Sequence, residues 1–295
     1  LRKLAAASND LRDELALREG LASILLAHDH SFDVFERVCA RCSALTPRRA
    51  FRSHKSTGSG GVHKPTRVVS DRPPPQKEIT MAPETARTSR LRSHWTSLVG
   101  ETSLSEVCFN HLSRLYSEEH RAYHNLTHIE ACLDIARTMV PSDADHTSLN
   151  LAIWYHDAIY DPKGKDSEEQ SAALFEKHAL LIGTGQPIVP LVREAILATK
   201  HTASVTTDAN HVVQYMLDVD LSILGANPEE YDLYDAAIRK EYAWVPDEAY
   251  VAGRRAILQG FLDRERIYLT PLFHRLDANA RTNLRRSVAR LTPPV

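Results

Sequence analysis

The sequence predicts an all-α protein, and three observations carry that expectation. From about Arg90 onward apolar residues recur at helical spacing. Ser, Asn and Asp stand where several such stretches begin. No alternating run of Val, Ile, Thr and aromatic residues is bounded by hairpin turns. With 295 residues, 43% of them hydrophobic and 25% charged, the chain can bury one large core or two ordinary ones. A net charge of −2 excludes the global basic field that would draw it to a nucleic-acid polymer or an anionic membrane. A small-molecule substrate is the expected partner. No apolar run approaches the roughly 20 residues that span a bilayer. The four cysteines are too few for a disulfide framework, and no secretory signal pattern is present, so a cytoplasmic location is expected.

Taken in order, residues 1–50 carry Leu17, Leu21, Ile24 and Leu25 at helical spacing, which predicts a small helical N-terminal segment with too little material for its own core. Cys39 and Cys42, with His28 and His30 upstream, lack a second pair at finger distance and are not expected to form a zinc site. Residues 51–89 open with "FRSHKSTGSGGVHKPTRVVSDRPPPQKEIT", rich in Gly, Ser, Pro and basic residues, and predict a disordered linker. Met81 is the first methionine; "MAPETARTSRLRSHWTSLVG" resembles a natural start, which would make residues 1–80 an upstream extension.

Residues 90–291 form the expected helical body. Leu104, Val107, Cys108, His111, Leu112 and Leu115 mark one helix, with Ser103 placed to cap it. In "ANPEEYDLYDAAIRKEY", Asn227 is a predicted N-cap, Pro228 the first helical residue and Glu230 a capping-box acid. Asp247 and Asp277 open two further helices, "DEAYVAGRRAILQGFL" and "DANARTNLRRSVARL". The arginines of "GRR" and "LRRSVARL" are expected on solvated faces. His178, His211 and His274 are expected to be structural, and Trp154 and Tyr155 to pack the core.

Chemistry concentrates in imidazoles and carboxylates on these helical stretches. His124 and His128 stand four apart in "RAYHNLTHIEACLDIA", which on a helix puts them on one face. "NLAIWYHDAIYDP" ends an apolar run on His156 and Asp157; "ILATKHT" brings His201, and "MLDVDLSILG" brings Asp218 and Asp220. A buried imidazole or carboxylate is costly without a partner. A shared divalent ion satisfies several at once, and nitrogen with oxygen donors suits Mn, Fe, Mg, Co or Ni better than a thiolate zinc site.

In order and context these motifs resemble the HD superfamily of metal-dependent phosphohydrolases. The words "YHNLTHI", "YHDAIYDP", "SEEQSA", "ATKHT", "DVDLSILG", "IRKEY" and "GRRAILQGFL" are similar to those of a predicted branch of that superfamily, over roughly residues 90 to 290. The resemblance implies an HD-domain helical bundle with His128, His156, Asp157 and one later Asp as metal ligands. Asp220 fits that last position better than Asp218, and residues two apart on a helix point roughly 200° from each other, so only one can face the ion. His124 and His201 would complete a second metal site or touch the phosphate. One or two ions are compatible with the sequence. Asp161 and Glu168 are candidate proton donors or acceptors, and Lys165, Lys200 and Arg239 candidate phosphate binders. The implied activity is hydrolysis of a phosphomonoester or phosphoanhydride, with nucleotides as the leading class. The rivals are a di-iron HD-type oxygenase or lyase, and a non-catalytic module that binds metal or nucleotide.

Overall fold

Local chemistry sets most helix starts in the computed structural model, which describes residues 84–185, 188–201 and 208–292. Ten α-helices are formed by these residues, and no strand is found among them. They are α1 (Glu84–Val99), α2 (Ser103–Leu115), α3 (Leu126–Met139), α4 (His146–Tyr155), α5 (Ser167–Ile182), α6 (Ile188–Ala198), α7 (His211–Asp220), α8 (Pro228–Glu241), α9 (Asp247–Leu262) and α10 (Asp277–Arg290). The expected N-terminal helix, the Cys39–Cys42 pair and the first part of the linker lie outside the described residues. Helix α1 reaches back to Glu84, inside the stretch expected to be linker, because Arg87 is buried and its Nε donates to Glu130 Oε2 at 3.0 Å.

Asn227 caps α8 as expected, its side chain accepting from the Glu230 backbone N–H at 2.9 Å with Pro228 in the first turn. Helices α9 and α10 begin at the two predicted aspartates. The cap of α2 is Thr102 rather than Ser103: Thr102 and Ser105 exchange side-chain and backbone hydrogen bonds in a reciprocal box.

Helix α4 is the axis of the molecule. Its Leu149, Leu151, Ala152, Ile153, Trp154 and Tyr155 are all buried, so it is apolar around its circumference and has to be surrounded. Helices α3, α5, α6 and α7 pack on it, and α1 and α2 extend the layer through Trp95, whose ring meets Trp154 edge-on at 5.5 Å. Behind α4, His178 bridges Tyr155 Oη (2.8 Å) and His111 Nδ1 (3.2 Å) inside the core, the structural role expected of it. Trp154 and Tyr155 are core residues, as the sequence suggests.

In a second layer, α8 and α10 pack on the 3-10 turn Leu221–Gly225 that follows α7, and α9 packs on α10. Asp218 joins the layers: its carboxylate accepts from the backbone N–H groups of Leu269 and Thr270, both at 2.7 Å, and from Thr270 Oγ1 at 2.6 Å. No helix among the described residues is long and apolar enough to cross a membrane.

Candidate metal centre

Three separate places in the chain deliver the four predicted ligands to one point. His128 sits in the first turn of α3, just after the cap Asn125. His156 is the C-cap of α4 and Asp157 follows it, while Asp220 ends α7. His156 keeps helical φ and ψ at the end of α4, and both it and Asp157 reach the same cation-sized gap.

Five contacts define the cluster. His128 Nε2 lies 3.2 Å from His156 Nε2, 3.3 Å from Asp220 Oδ1 and 3.6 Å from Asp157 Oδ2. His156 Nε2 lies 2.9 Å from Asp157 Oδ2 and 3.5 Å from Asp220 Oδ1. Ligand atoms about 2.1 Å from one ion stand roughly 3.0 Å apart at right angles and roughly 3.4 Å apart in a tetrahedron. The cluster has that spacing. His128, His156 and Asp220 form a trio able to hold a metal ion, with ligand atoms within 4.8 Å of one another. Asp157 joins them through Oδ2, a buried oxygen that has no hydrogen-bond partner. An acceptor stranded beside two imidazoles fits a missing cation better than a finished hydrogen-bond network.

The tautomer also fits. His156 Nδ1 is 2.9 Å from the Ile153 carbonyl and donates to it, so that once the ring gives up its second proton the Nε2 lone pair faces the cluster. Cys132 lies beside His128, and burial pushes its thiol well above the usual range, so the donor set is nitrogen and oxygen. Burial works to lower the His156 pKa, but Asp157 and Asp220 outweigh it and hold the imidazole well above its ordinary value. Burial works in the opposite sense on both carboxylates. Asp157 is nonetheless held low by His156, His124 and His128, and Asp220 by hydrogen bonds from His128, His156 and His201. Without metal the site stores these charges against one another.

Arg121 fixes the two loops that carry this chemistry. Its buried guanidinium donates to the carbonyls of His124 (3.0 Å), Asp157 (2.7 Å) and Ala158 (2.9 Å), and its Nε to Glu118 (2.9 Å). His124 does not share a helical face with His128. It precedes the cap of α3, and its Nδ1 meets Glu241 Oε2 at 2.6 Å while its ring stacks on Tyr160 at 4.2 Å. Glu241 also accepts from the backbone N–H groups of Tyr123 and His124 and from Tyr160 Oη. Burial would raise its pKa, but the His124 hydrogen bond and charge hold it down at about 2. Burial lowers the His124 pKa less than Asp157 and Glu241 raise it.

A cavity of about 1020 Å³ opens from the cluster. His124, Asp157, His201 and Asp220 line it, together with the polar Lys165, Glu168 and Lys200 and the apolar or aromatic Tyr234, Ile238, Tyr250 and Phe261. His201 Nε2 is 3.2 Å from Asp220 Oδ2, and its backbone takes a left-handed φ of 53°. Asp161 lines the cavity too, but one carboxylate oxygen accepts the Lys163 backbone N–H at 2.9 Å and braces the loop. Lys200 is committed to Glu169 (2.6 Å) and the Lys165 carbonyl (2.7 Å). Arg239 is not among the cavity-lining residues. Its guanidinium holds the Tyr242 carbonyl (2.7 Å) and Asp247 (2.5 Å), bracing the turn into α9, so the expectation that it binds phosphate is corrected. Arg254 of "GRR" is no solvated residue either: it is buried in the lining and paired with Asp235 at 2.9 Å.

Glu241 and Arg121 escaped the sequence reading. Glu241 did leave a signal, since an acid in the last turn of a helix opposes the helix dipole and needs a local reason to be there. Arg121 left none. No family model, no curated protein and no solved structure matches the chain.

Proposed function

We propose that the chain is an HD-type metal-dependent phosphohydrolase that cleaves a small-molecule phosphomonoester or phosphoanhydride, with nucleotides as the leading substrate class. The observation that carries this proposal is the set of five contacts of 2.9–3.6 Å among His128, His156, Asp157 and Asp220, of which the two carboxylates line a cavity. These four residues would hold a divalent ion, Mn, Fe, Mg, Co or Ni. When bound, such an ion makes a neighbouring water more acidic and withdraws charge from a phosphoryl oxygen.

The remaining steps belong to the protein. Water attacks phosphorus and releases one proton to solvent, the bond from phosphorus to the leaving oxygen breaks, and that oxygen takes up a proton in exchange. His124 is placed to supply it: Glu241 holds Nδ1, and the surrounding carboxylates favour the imidazolium, leaving the Nε2 proton for the substrate. Glu241 and Tyr160 fix the ring and act as positioning residues. Lys165 at the rim offers a point charge to phosphoryl oxygens. Glu168 beside Lys200 lies in the same lining and is the second candidate for proton transfer.

Three contacts favour a two-ion variant of the site: Asp220 places Oδ1 beside His128 and His156 and Oδ2 beside His201, so that Asp220 and His201 would help to hold a second ion. Two irons there would support oxygenase chemistry, which O₂ consumption by the iron-loaded protein would reveal.

The test is turnover of p-nitrophenyl phosphate and nucleoside phosphates by the full chain with each divalent ion. Asp157→Ala is expected to abolish turnover. His124→Gln is expected to lower kcat by about 10² or more with metal retained. No turnover by the metal-replete wild type, or full turnover by Asp157→Ala, contradicts the proposal.

A further inference from the structure

The geometry points to Arg264 as the anchor for a second anionic group of the substrate, so that the cavity takes an organic phosphate carrying a phosphate or carboxylate at its far end. This inference rests on the phosphohydrolase reading of the same cavity and adds the class of substrate.

Four cationic side chains line the cavity: Lys165, Lys200, Arg254 and Arg264. Lys200 is neutralised by Glu169 and Arg254 by Asp235. Arg264 is half-buried, and among the described residues its guanidinium meets no carboxylate and makes no hydrogen bond. It is packed instead over the ring of Phe261, 4.5 Å from the centroid. Desolvation without a counter-charge pulls its pKa down, although a guanidinium stays charged throughout the working range. The backbone is held, with the Arg264 carbonyl accepting from Arg281 at 2.8 Å. A partly desolvated cation on a fixed backbone, facing a cavity, is a cost that an incoming oxyanion offsets. The fork of the guanidinium suits a carboxylate or a phosphate in two-point contact.

Arg264 is also linked to the metal centre through neighbouring rings. Phe261 meets His201 edge-on at 6.0 Å, and His201 reaches Asp220 at 3.2 Å. The contacts from Asp220 to Arg264 therefore pass through the rings of His201 and Phe261, both in the cavity lining, and the body of the substrate between its two charged ends would lie against Phe261. Lys165, which has no carboxylate partner among the described residues, lines the same cavity and serves the phosphoryl end.

Phosphonates, which are not hydrolysed, serve as probes. Calorimetry on the full chain in Mn²⁺ buffer compares an arylphosphonate with its analogues carrying a carboxylate or a second phosphonate, across spacers of one and two phenylene rings. At the better spacer the second anion is expected to tighten binding about tenfold in the wild type, the size of one charge-assisted contact. Arg264→Gln is expected to erase that gain while leaving the plain arylphosphonate within about twofold, and Arg264→Lys to keep part of it. A gain with both anions means a general oxyanion site; a gain with only one names the preferred group. The inference is overturned if no analogue gains in the wild type, or if Arg264→Gln weakens the plain and the doubly charged ligands alike. A gain that depends on Arg264, in a protein that hydrolyses no phosphoester, removes the activity and leaves the anchor standing.

Discussion

At His156 two opposing influences meet: burial disfavours the imidazolium, and two carboxylates favour it more strongly. The metal-free ring therefore holds a proton around neutral pH, and a cation must expel it. The sign follows directly. Metal binding releases a proton, so affinity rises with pH until the raised pKa of His156 is passed, by about tenfold per pH unit for one proton. Mn²⁺ titrations between pH 6 and 8 in buffers of different ionisation enthalpy check this, and pH-independent affinity contradicts it. Asp218 and Asp220, two residues apart, make the complementary case. Asp218 ties α7 to Leu269 and Thr270, whereas Asp220 faces the imidazoles. Asp218→Ala strands the backbone N–H groups of Leu269 and the buried Thr270 and is expected to cost about 2–4 kcal/mol of stability while metal still binds. Asp220→Ala is expected to lose metal. Melting curves in chelator beside metal analysis separate the two roles; a reversal of the phenotypes sinks the assignment.

At the scale of elements, the turn Leu221–Gly225 sets the distance between α7, which carries Asp220, and α8, which carries Glu241. A Cβ on Gly225 would stand 2.7 Å from Leu276 Cβ and 2.9 Å from Tyr268 Oη, closer than packed atoms approach. Gly225→Ala is therefore expected to destabilise the protein by about 1–3 kcal/mol through overpacking. Gly253, inside α9 with open space around its missing Cβ, gives the opposite sign: Gly253→Ala is expected to add about 0.5–1 kcal/mol of stability. Denaturant unfolding of both variants checks the pair, and equal effects would mean that the contact at Gly225 is not constraining.

Across the whole molecule, what was legible in the sequence was local. The starts at Asn227, Asp247 and Asp277 are visible because a cap and its helix are neighbours in the chain. The four-ligand cluster was legible as an ordered set of residue types, with Asp220 set above Asp218 by its context. His124 was misplaced because Asn125 takes the cap and excludes it from α3. Arg121, Glu241 and Arg254 depend on contacts made far along the chain, such as the pairing of Glu241 with Tyr123 and His124, and no periodicity reports those. The account as a whole stands on four side chains from α3, the end of α4 and the end of α7 gripping one cation. Mn²⁺ titration of the full chain, wild type against Asp157→Ala, tests this most directly. Saturable binding by the wild type, weakened by more than about 100-fold in a variant that keeps its helical content, is the expected result. Wild-type affinity in Asp157→Ala, or no specific binding in either protein, contradicts it.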